Sequence, residues 1–333
     1  MRLGAPARRE LSEDGGGGHR RLTLRVSLLD RCQYQCPYCR PGTLEPFFDA
    51  SALLPASAYA RLAPIFVEMG VRKVRFTGGE PLLRRDVVDV IGAFARASAD
   101  LDLALTTNGQ LLPGRARELA AAGLARATVH VDSLRPDRYR ELMGRGDVAA
   151  ILEGALAARS ELAEVKLNAV IQRGKNDDEI LDFLEYSAKN RIEVRFIELM
   201  NTGSAVDYTR EVFFSGREIV DVVRRAHGVT PAPRRHASDP AALWTTDHGV
   251  TFGVIASDTE PFCSACDRLR LTADGDLRGC LYQGSGEPLR DVVASGSDEE
   301  LRAAVRRAIQ GKRSFHPAVA PRRLLFSMAR TGG

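Results

Sequence analysis

The sequence predicts an α/β protein in which a parallel sheet curls into a barrel or part of one, followed by a smaller C-terminal domain. Two observations support this prediction. Strand-like and helix-like segments alternate along residues 22–199, which is the pattern of consecutive parallel β/α units. The chain has 333 residues, which is more than one hydrophobic core usually organises, so a second domain is expected.

The predicted elements follow one another in a regular order. Apolar or alternating segments predict strands at 22–29, 71–76, 101–106, 125–131, 165–171 and 193–199. Helical spacing predicts intervening helices at 56–69, 86–99, 115–122, 136–162 and 177–190. After a linker at 201–209, the sequence predicts a helix at 215–226, a strand at 249–255 and a helix at 298–309. These elements divide the chain into a disordered tail (1–20), the barrel (21–205) and the C-terminal domain (206–333).

Composition narrows the class of protein. Hydrophobic residues make up 44% and charged residues 27% of the chain, as in an ordinary globular protein. No apolar run approaches the ~20 residues that span a membrane, and the Gly- and Arg-rich tail lacks a secretory-signal pattern. The net charge of +4 gives no strong nucleic-acid signal. We therefore expect a cytoplasmic protein with neither a membrane nor a nucleic-acid partner.

Three cysteines, Cys32, Cys36 and Cys39, follow the first predicted strand. Closely spaced cysteines without an export signal favour a metal over disulfides. Three thiolates on one tight loop suit a 4Fe–4S cluster whose fourth iron is open to a ligand that is not protein, and an open metal position is typical of a catalytic site. The alternative is a zinc knuckle, but the nearest preceding histidine, His19, lies in the glycine-rich tail.

A second triplet, Cys263, Cys266 and Cys280, lies near the C terminus, and the long stretch between the two triplets contains no cysteine. Two separate triplets predict two clusters. Zinc is again the alternative, with His316 or a water molecule as the fourth ligand.

The first triplet, with Tyr38 before its third cysteine, resembles the signature loop of the radical SAM superfamily. Gly78, Gly79 and Glu80, at the end of the second predicted strand, resemble that superfamily's site for the amino group of S-adenosylmethionine (SAM). Paired glycines allow the backbone to approach a ligand closely, and Glu80 can receive an ammonium group. The resemblance implies a partial (β/α)6 TIM-type barrel. It also implies that SAM binds the open iron and is cleaved to methionine and a 5′-deoxyadenosyl radical.

A closer resemblance covers nearly the whole chain past residue 20. The matching segments are Leu24-Arg25-Val26-Ser27, Arg75-Phe76-Thr77-Gly78-Gly79-Glu80-Pro81-Leu82-Leu83-Arg84, Thr106-Thr107-Asn108-Gly109, Arg195-Phe196-Ile197-Glu198-Leu199-Met200 and the terminal Gly332-Gly333. They resemble the GTP 3′,8-cyclase family, which opens molybdenum-cofactor biosynthesis. The resemblance implies GTP contacts at Arg25, Arg75, Thr106 and Lys166, and SAM contacts at Tyr38, Gly79 and Met200.

The same resemblance implies that the second triplet holds an auxiliary 4Fe–4S cluster that contacts guanine, with Arg268 and Arg270 lining its pocket. It also implies that the tail brings Gly332 and Gly333 into the active site, so we expect these two glycines and two arginines to serve catalysis. The implied reaction removes the 3′ hydrogen of the GTP ribose and joins that carbon to carbon 8 of guanine. The product is (8S)-3′,8-cyclo-7,8-dihydroguanosine 5′-triphosphate.

The implied partners are GTP, a reductant such as flavodoxin or ferredoxin, and cyclic pyranopterin monophosphate synthase as the next enzyme. A homodimer is compatible with the resemblance.

Two positions depart from the family pattern. His130 stands where the family usually has a serine that contacts SAM, and we expect it either to donate to SAM or to pack as an ordinary strand histidine. Asp267 stands in place of an asparagine, where it would either weaken anion binding or orient Arg268 through a salt bridge. The alternatives for the whole chain are a peptide-modifying radical SAM enzyme with an auxiliary cluster and a non-catalytic iron–sulfur electron carrier.

Overall fold

The structure is a computed structural model that describes residues 21–39, 46–200, 210–234, 236, 238–314 and 328–331. The predicted tail at 1–20, the predicted linker at 201–209 and the terminal Gly332 and Gly333 lie outside the described residues. The described strands form one sheet of 12 strands.

The first half of the chain builds six parallel β/α units, as the alternating pattern predicts. The strands are β1 (Leu22–Ser27), β2 (Val71–Thr77), β3 (Asp102–Thr107), β4 (Arg126–His130), β5 (Glu164–Ile171) and β6 (Glu193–Glu198). The helices are α1 (Ala56–Glu68), α2 (Val87–Ala97), α3 (Ala116–Ala121), α4 (Pro136–Met143), α5 (Val148–Ala158) and α6 (Ile180–Asn190). Each strand pairs in parallel with the next, so their carboxyl ends share one edge, where the loops of such barrels place their functional groups.

The single helical region predicted at 136–162 is wrong, because two helices occupy it. α4 ends at Gly144, whose φ of 81° is a left-handed conformation that glycine adopts without steric cost. α5 then begins with its own cap, since the Asp147 carboxylate accepts hydrogen bonds from the Ala149 and Ala150 amides.

The C-terminal part of the chain extends both edges of this sheet. Its strands are β7 (Val229–Ala232), β8 (Ala242–Thr246), β9 (Thr251–Ile255), β10 (Arg268–Leu271), β11 (Asp276–Arg278) and β12 (Glu287–Pro288). Its helices are α7 (Gly216–Ala226), α8 (Arg290–Ser295), α9 (Asp298–Ser314) and α10 (Met328–Thr331). β10 lies parallel to β1 and β9 lies parallel to β6. The second cysteine triplet is thereby brought beside the first strand, and the division at residue 205 stays a prediction.

The core lies between the sheet and its outer helices, and α1 is part of it. By length and composition alone, residues 50–68 could cross a membrane. In α1, however, Tyr59, Leu62 and Phe66 are fully buried in the hydrophobic core. This segment therefore has the burial of a core helix.

Candidate active site

The first cysteine loop lies at the carboxyl end of β1. Cys36 is buried, and Cys32 and Cys39 are half-buried. The Tyr34 amide and the Asn108 side-chain amide both donate toward the Cys32 sulfur, at 3.4 and 3.8 Å. Burial, and then the neighbouring Cys39, raises the pKa of the Cys36 thiol well above its ordinary value. A thiol so placed becomes a thiolate readily only when a cation compensates it, which fits a metal-binding role for the loop.

The paired glycines dock the second β/α loop onto the cysteine loop. The Gly79 amide donates to the Leu29 carbonyl and the Glu80 amide donates to the Arg31 carbonyl, both at 2.8 Å. A Cβ atom on Gly78 would lie 2.3 Å from the Leu29 oxygen, and one on Gly79 would lie 2.2 Å from the Arg31 oxygen. The sequence predicts a close approach to a ligand here, and the structure places the cysteine loop in that close contact. Contact with SAM stays a prediction.

Glu80 is completely buried and ties the ends of β2 and β3 together. Its carboxylate accepts hydrogen bonds from the Leu82 amide at 3.0 Å, the Thr107 hydroxyl at 2.8 Å and the Asn108 amide at 2.8 Å. Burial raises the pKa of Glu80 to about 7 despite these donors. Asn108 also donates toward the Cys32 sulfur, so Glu80 supports the cysteine loop through Asn108. Contact of Glu80 with the SAM ammonium stays a prediction.

The half-buried Tyr38 and His130 and the fully buried Asp132 form a cluster that joins the cysteine loop to the end of β4. The Tyr38 hydroxyl lies 2.6 Å from His130 Nε2 and donates to an Asp132 oxygen at 2.5 Å. His130 Nε2 lies 3.0 Å from the other Asp132 oxygen, which also accepts from the Val170 amide at 2.8 Å. Burial alone would lower the pKa of His130, but the charge and hydrogen bond of Asp132 outweigh it and the pKa is raised. His130 thus has polar partners in Tyr38 and Asp132, and its contact with SAM stays a prediction.

Met200, the remaining predicted SAM contact, follows the end of β6 and is half-buried. Its neighbour Leu199 belongs to a small buried cluster that packs against Tyr38. The carboxyl ends of β1, β4 and β6 therefore meet around the tyrosine of the cysteine loop.

A row of arginines crosses the inner strands. Arg25 on β1 is in register with Arg75 on β2 and with Arg270 on β10. Burial, and then the charges of Arg270, Arg75 and Arg268, lowers the pKa of Arg25 well below its ordinary value. Burial also lowers the pKa values of Arg75 and Arg270 to about 10. Several guanidinium groups held close together out of water form a site for an anion of high charge.

Arg75 is held by hydroxyl groups of the next two strands. Its Nη1 atom donates to Thr106 and to Thr128, each at 3.1 Å. Thr106 was predicted from the family resemblance, whereas Thr128 was missed. Its signal in the sequence is its place on β4 in register with Thr106, and β-strand pairs cannot be aligned from one sequence alone.

Lys166 faces the same row but is already paired. Its ammonium lies 3.1 Å from carboxylates of both Glu164 and Glu193, and burial lowers its pKa. Arg195 lies beside Glu193, with 2.6 Å between Nε and the carboxylate, and is in register with Asn168 two residues past Lys166. Arg195 is a basic site residue to which the sequence analysis gave no role.

The second triplet lies around β10 and β11. Cys263 and Cys266 are joined by a tight turn, and Cys280 follows β11. Burial raises the pKa of Cys266, but Arg268 and Lys312 lower it more, and the net pKa is about 7. Arg268 stacks over the Phe262 ring at 4.5 Å, and its Nε and Nη2 atoms are buried with no hydrogen-bond partner among the described residues.

Asp267 has a structural partner on β1. Its carboxylate accepts from the Thr23 hydroxyl at 3.2 Å, and its carbonyl accepts from the Thr23 amide. No Asp267–Arg268 ion pair occurs in the described part of the chain. Asp267 therefore fixes β10 against β1, a role that neither sequence alternative included.

The last described residues dock beside these arginines. The Thr331 carbonyl accepts from Arg270 at 3.1 Å, and the Ala329 carbonyl accepts from the Ser27 hydroxyl at 3.3 Å. Arg330 donates to the Pro46 carbonyl at 2.6 Å. Gly332 and Gly333 are outside the described residues, but the residue before them is buried against a predicted site arginine.

The sulfurs of each cysteine triplet are spread further apart than the ligands of a bound zinc ion. In a tetrahedral zinc site with Zn–S bonds of about 2.3 Å, the sulfurs are about 3.8 Å apart. Of the described residues, only His227, Asp247 and His248 form a group of three or more whose ligand atoms all lie within 4.8 Å of one another. The three sulfurs of each triplet are therefore not all within 4.8 Å of one another. His316, the alternative fourth zinc ligand, lies outside the described residues, and the choice between zinc and a cluster at the second triplet stays a prediction.

Comparison with known families divides the chain into two matching parts. Residues 26–187 match the model of the Radical SAM superfamily, and residues 192–317 match the model described as Molybdenum Cofactor Synthesis C.

Two curated relatives match along most of their length. The chain is 40% identical over 279 residues to the GTP 3′,8-cyclase 3 of Mycobacterium bovis, covering 82% of this chain and 74% of that protein. It is 37% identical over 296 residues to the GTP 3′,8-cyclase of Syntrophomonas wolfei, covering 88% of this chain and 91% of that protein.

A solved structure shares the fold. Streptococcus suis SuiB bound to S-adenosylmethionine superposes with a TM-score of 0.63 at 16% sequence identity, covering 89% of this chain and 68% of SuiB. At this identity the likeness shows the fold alone.

Proposed function

The chain belongs to the GTP 3′,8-cyclase family of the radical SAM superfamily, and from that premise we propose how its residues divide the work of the reaction. The family's enzymes are lyases that convert GTP to (8S)-3′,8-cyclo-7,8-dihydroguanosine 5′-triphosphate, the first step of molybdenum-cofactor synthesis. The observation that carries the proposal is the placement of two cysteine triplets at either side of one row of arginines, of which Arg270 is buried and Arg25 and Arg75 are half-buried.

Cys32, Cys36 and Cys39 hold the first 4Fe–4S cluster. When bound, this cluster supplies the electron that cleaves SAM. The fit rests on the amide donors of Tyr34 and Asn108, which are directed at the Cys32 sulfur, since such hydrogen bonds stabilise thiolates bound to iron. The SAM site is surrounded by the residues that the family resemblance implies, together with His130: Gly78, Gly79, Glu80, Tyr38, His130 and Met200.

The arginine row binds the triphosphate. Burial is the main cause of the lowered pKa values of Arg25, Arg75 and Arg270, and the charges of neighbouring arginines lower them further. A polyphosphate would offset both effects by supplying negative charge. Thr106 holds Arg75 in place. Lys166 lies beside this site and is paired with Glu164 and Glu193. Arg195, which is also paired with Glu193, adds a further cation next to the arginine row.

Cys263, Cys266 and Cys280 hold a second 4Fe–4S cluster next to the base. Arg268 contributes two buried donor atoms that suit acceptor atoms of the nucleotide. Arg270 anchors Thr331, and the proposal assigns the following Gly332 and Gly333 a role at the substrate. These four residues, Arg268, Arg270, Gly332 and Gly333, are the catalytic set of the proposal.

The remaining partners of the proposal are those that the family resemblance implies. A reductant of the flavodoxin or ferredoxin class supplies the electron, and the product passes to cyclic pyranopterin monophosphate synthase. The reaction takes place in the cytoplasm, needs neither nucleic acid nor membrane, and is compatible with a homodimer.

A GTP titration of the cluster-loaded protein at low and high salt tests the substrate assignment. Saturable binding that weakens as salt rises is expected from a cationic triphosphate site. Absence of saturable GTP binding, together with SAM cleavage, would instead favour a peptide-modifying radical SAM enzyme. Absence of SAM cleavage under dithionite would favour an electron carrier.

A further inference from the structure

A buried lysine links two of the three cysteine positions of the second triplet. Lys312 lies in α9, and its side chain is almost fully buried. Its Nζ atom donates to the Cys266 sulfur at 3.4 Å and to the Gly279 carbonyl at 2.9 Å. Gly279 immediately precedes Cys280 in the chain. One ammonium group thus contacts one cysteine directly and the backbone of the next.

The packing of α9 fixes this lysine in place. A Cβ atom on Gly279 would lie 2.6 Å from the Cβ and 2.8 Å from the Cα of Lys312, so the helix backbone presses against the segment that leads to Cys280. The Gly279 amide in turn donates to the Gln283 side chain at 2.8 Å. The backbone of Lys312 is therefore packed tightly against Gly279, unlike that of an exposed surface lysine.

A buried ammonium needs compensation by acceptors or negative charge. Lys312 has three hydrogens to donate; one of its acceptors is the Cys266 sulfur and another is the carbonyl of Gly279, which precedes Cys280. A hydrogen bond to a cluster sulfur withdraws electron density from it and stabilises the reduced cluster. The arrangement therefore acts on the electronic properties of a cluster as well as on its shape.

We propose that Lys312 is a positioning residue for the second cluster: it holds the Cys266 and Cys280 segments in register and tunes the reduction potential through its bond to the Cys266 sulfur. This inference rests on the proposed function, because it requires that the second triplet hold a cluster. It concerns a helix residue far from both cysteine motifs in the sequence.

The test isolates the second cluster. A parent protein with Cys32→Ala, Cys36→Ala and Cys39→Ala retains only the second triplet, and we compare it with the same protein carrying Lys312→Met, Lys312→Gln or Lys312→Arg. Lys175→Met, which removes an exposed lysine paired with Glu141, is the matched control for loss of charge. The readouts are iron content, the electron paramagnetic resonance spectrum of the reduced cluster and its potential in an anaerobic redox titration.

The proposal expects a more negative potential in Lys312→Met, a smaller shift in Lys312→Gln, which retains a donor, and a potential close to the parent's in Lys312→Arg. If Lys312→Met binds no iron, the test rests on the other two variants, and the potential of Lys312→Gln should be more negative than that of Lys312→Arg. Parent-like potentials and spectra in iron-loaded Met and Gln variants would overturn the role of Lys312 alone. Loss of iron from all three variants would also overturn it, since arginine keeps the donor and the charge. A parent without iron would refute the second cluster itself, and the role of Lys312 with it.

Discussion

Replacement of Gly79 by alanine tests whether the glycine pair supports the cysteine loop. The added Cβ would lie 2.2 Å from the Arg31 oxygen and 2.5 Å from the Arg31 carbonyl carbon. These are backbone atoms of the cysteine loop, so no side-chain rotation relieves the clash. Gly79 itself has no positive φ, and the effect is therefore steric rather than conformational.

The cost follows from the contacts that the methyl group separates. Two backbone hydrogen bonds, Gly79 to Leu29 and Glu80 to Arg31, contribute about 1 kcal/mol each. Forcing a methyl group into a packed site adds about 1–3 kcal/mol, which gives about 3–5 kcal/mol in total. Displacement of Arg31 also moves the adjacent Cys32, so we expect the first cluster to be lost.

Gly114→Ala is the matched control, because a Cβ there meets nothing within 4 Å. The assay is iron content after anaerobic reconstitution, together with the thermal unfolding midpoint. Gly79→Ala should bind about four irons where the wild type and Gly114→Ala bind about eight, and it should unfold several degrees lower. Iron content and unfolding equal to those of Gly114→Ala would refute the reasoning.

Three further predictions concern the residues around the two ligand sites. The folded-state pKa of Glu80 is about 7, above its ordinary value of 4.5, so the folded protein binds this proton more tightly than the unfolded chain does. The free energy of unfolding should therefore fall by about 2.5 kcal/mol between pH 5 and pH 8. Glu80→Gln should remove this pH dependence in urea titrations, and parallel stability-against-pH profiles of the variant and the wild type would contradict the prediction. In a double-mutant cycle, the effects of Tyr38→Phe and His130→Ala on the free energy of unfolding should differ from additivity by about 1 kcal/mol or more. Additive effects would show that the contact between the two side chains does not contribute to stability. Arg75→Met should weaken GTP binding at least tenfold, about 1.5–3 kcal/mol for lost charged hydrogen bonds, and leave SAM binding unchanged; equal loss of both ligands would place Arg75 outside the triphosphate site.

The repeating part of the fold is readable from the sequence because its signals are local. Alternating strands and amphipathic helices recur at short intervals, and the structure confirms six parallel units in the predicted order. The break between α4 and α5 was missed although the sequence carries local signals for it, since Gly144 is a left-handed C-cap and Asp147 is an N-cap.

The contacts between distant segments were not readable in the same way. β10 has four residues, and nothing in its sequence indicates that it lies parallel to β1. The role of Asp267, which fixes β10 against β1 by accepting a hydrogen bond from Thr23, depends on that pairing. Lys312 is one of many lysines and arginines on a charged helix, and its contact with Cys266 exists only in the folded chain. The cysteine spacing predicts two metal sites, and only the tertiary structure shows which residues contact the cysteines.

The measurement that tests the central claim most directly is an anaerobic turnover assay of the cluster-reconstituted protein with SAM, dithionite and GTP. The readouts are 5′-deoxyadenosine and a GTP-derived cyclic nucleotide, each measured with and without GTP. Formation of both products in a GTP-dependent manner is the predicted result. 5′-Deoxyadenosine without any product from GTP would contradict the assignment of GTP as substrate.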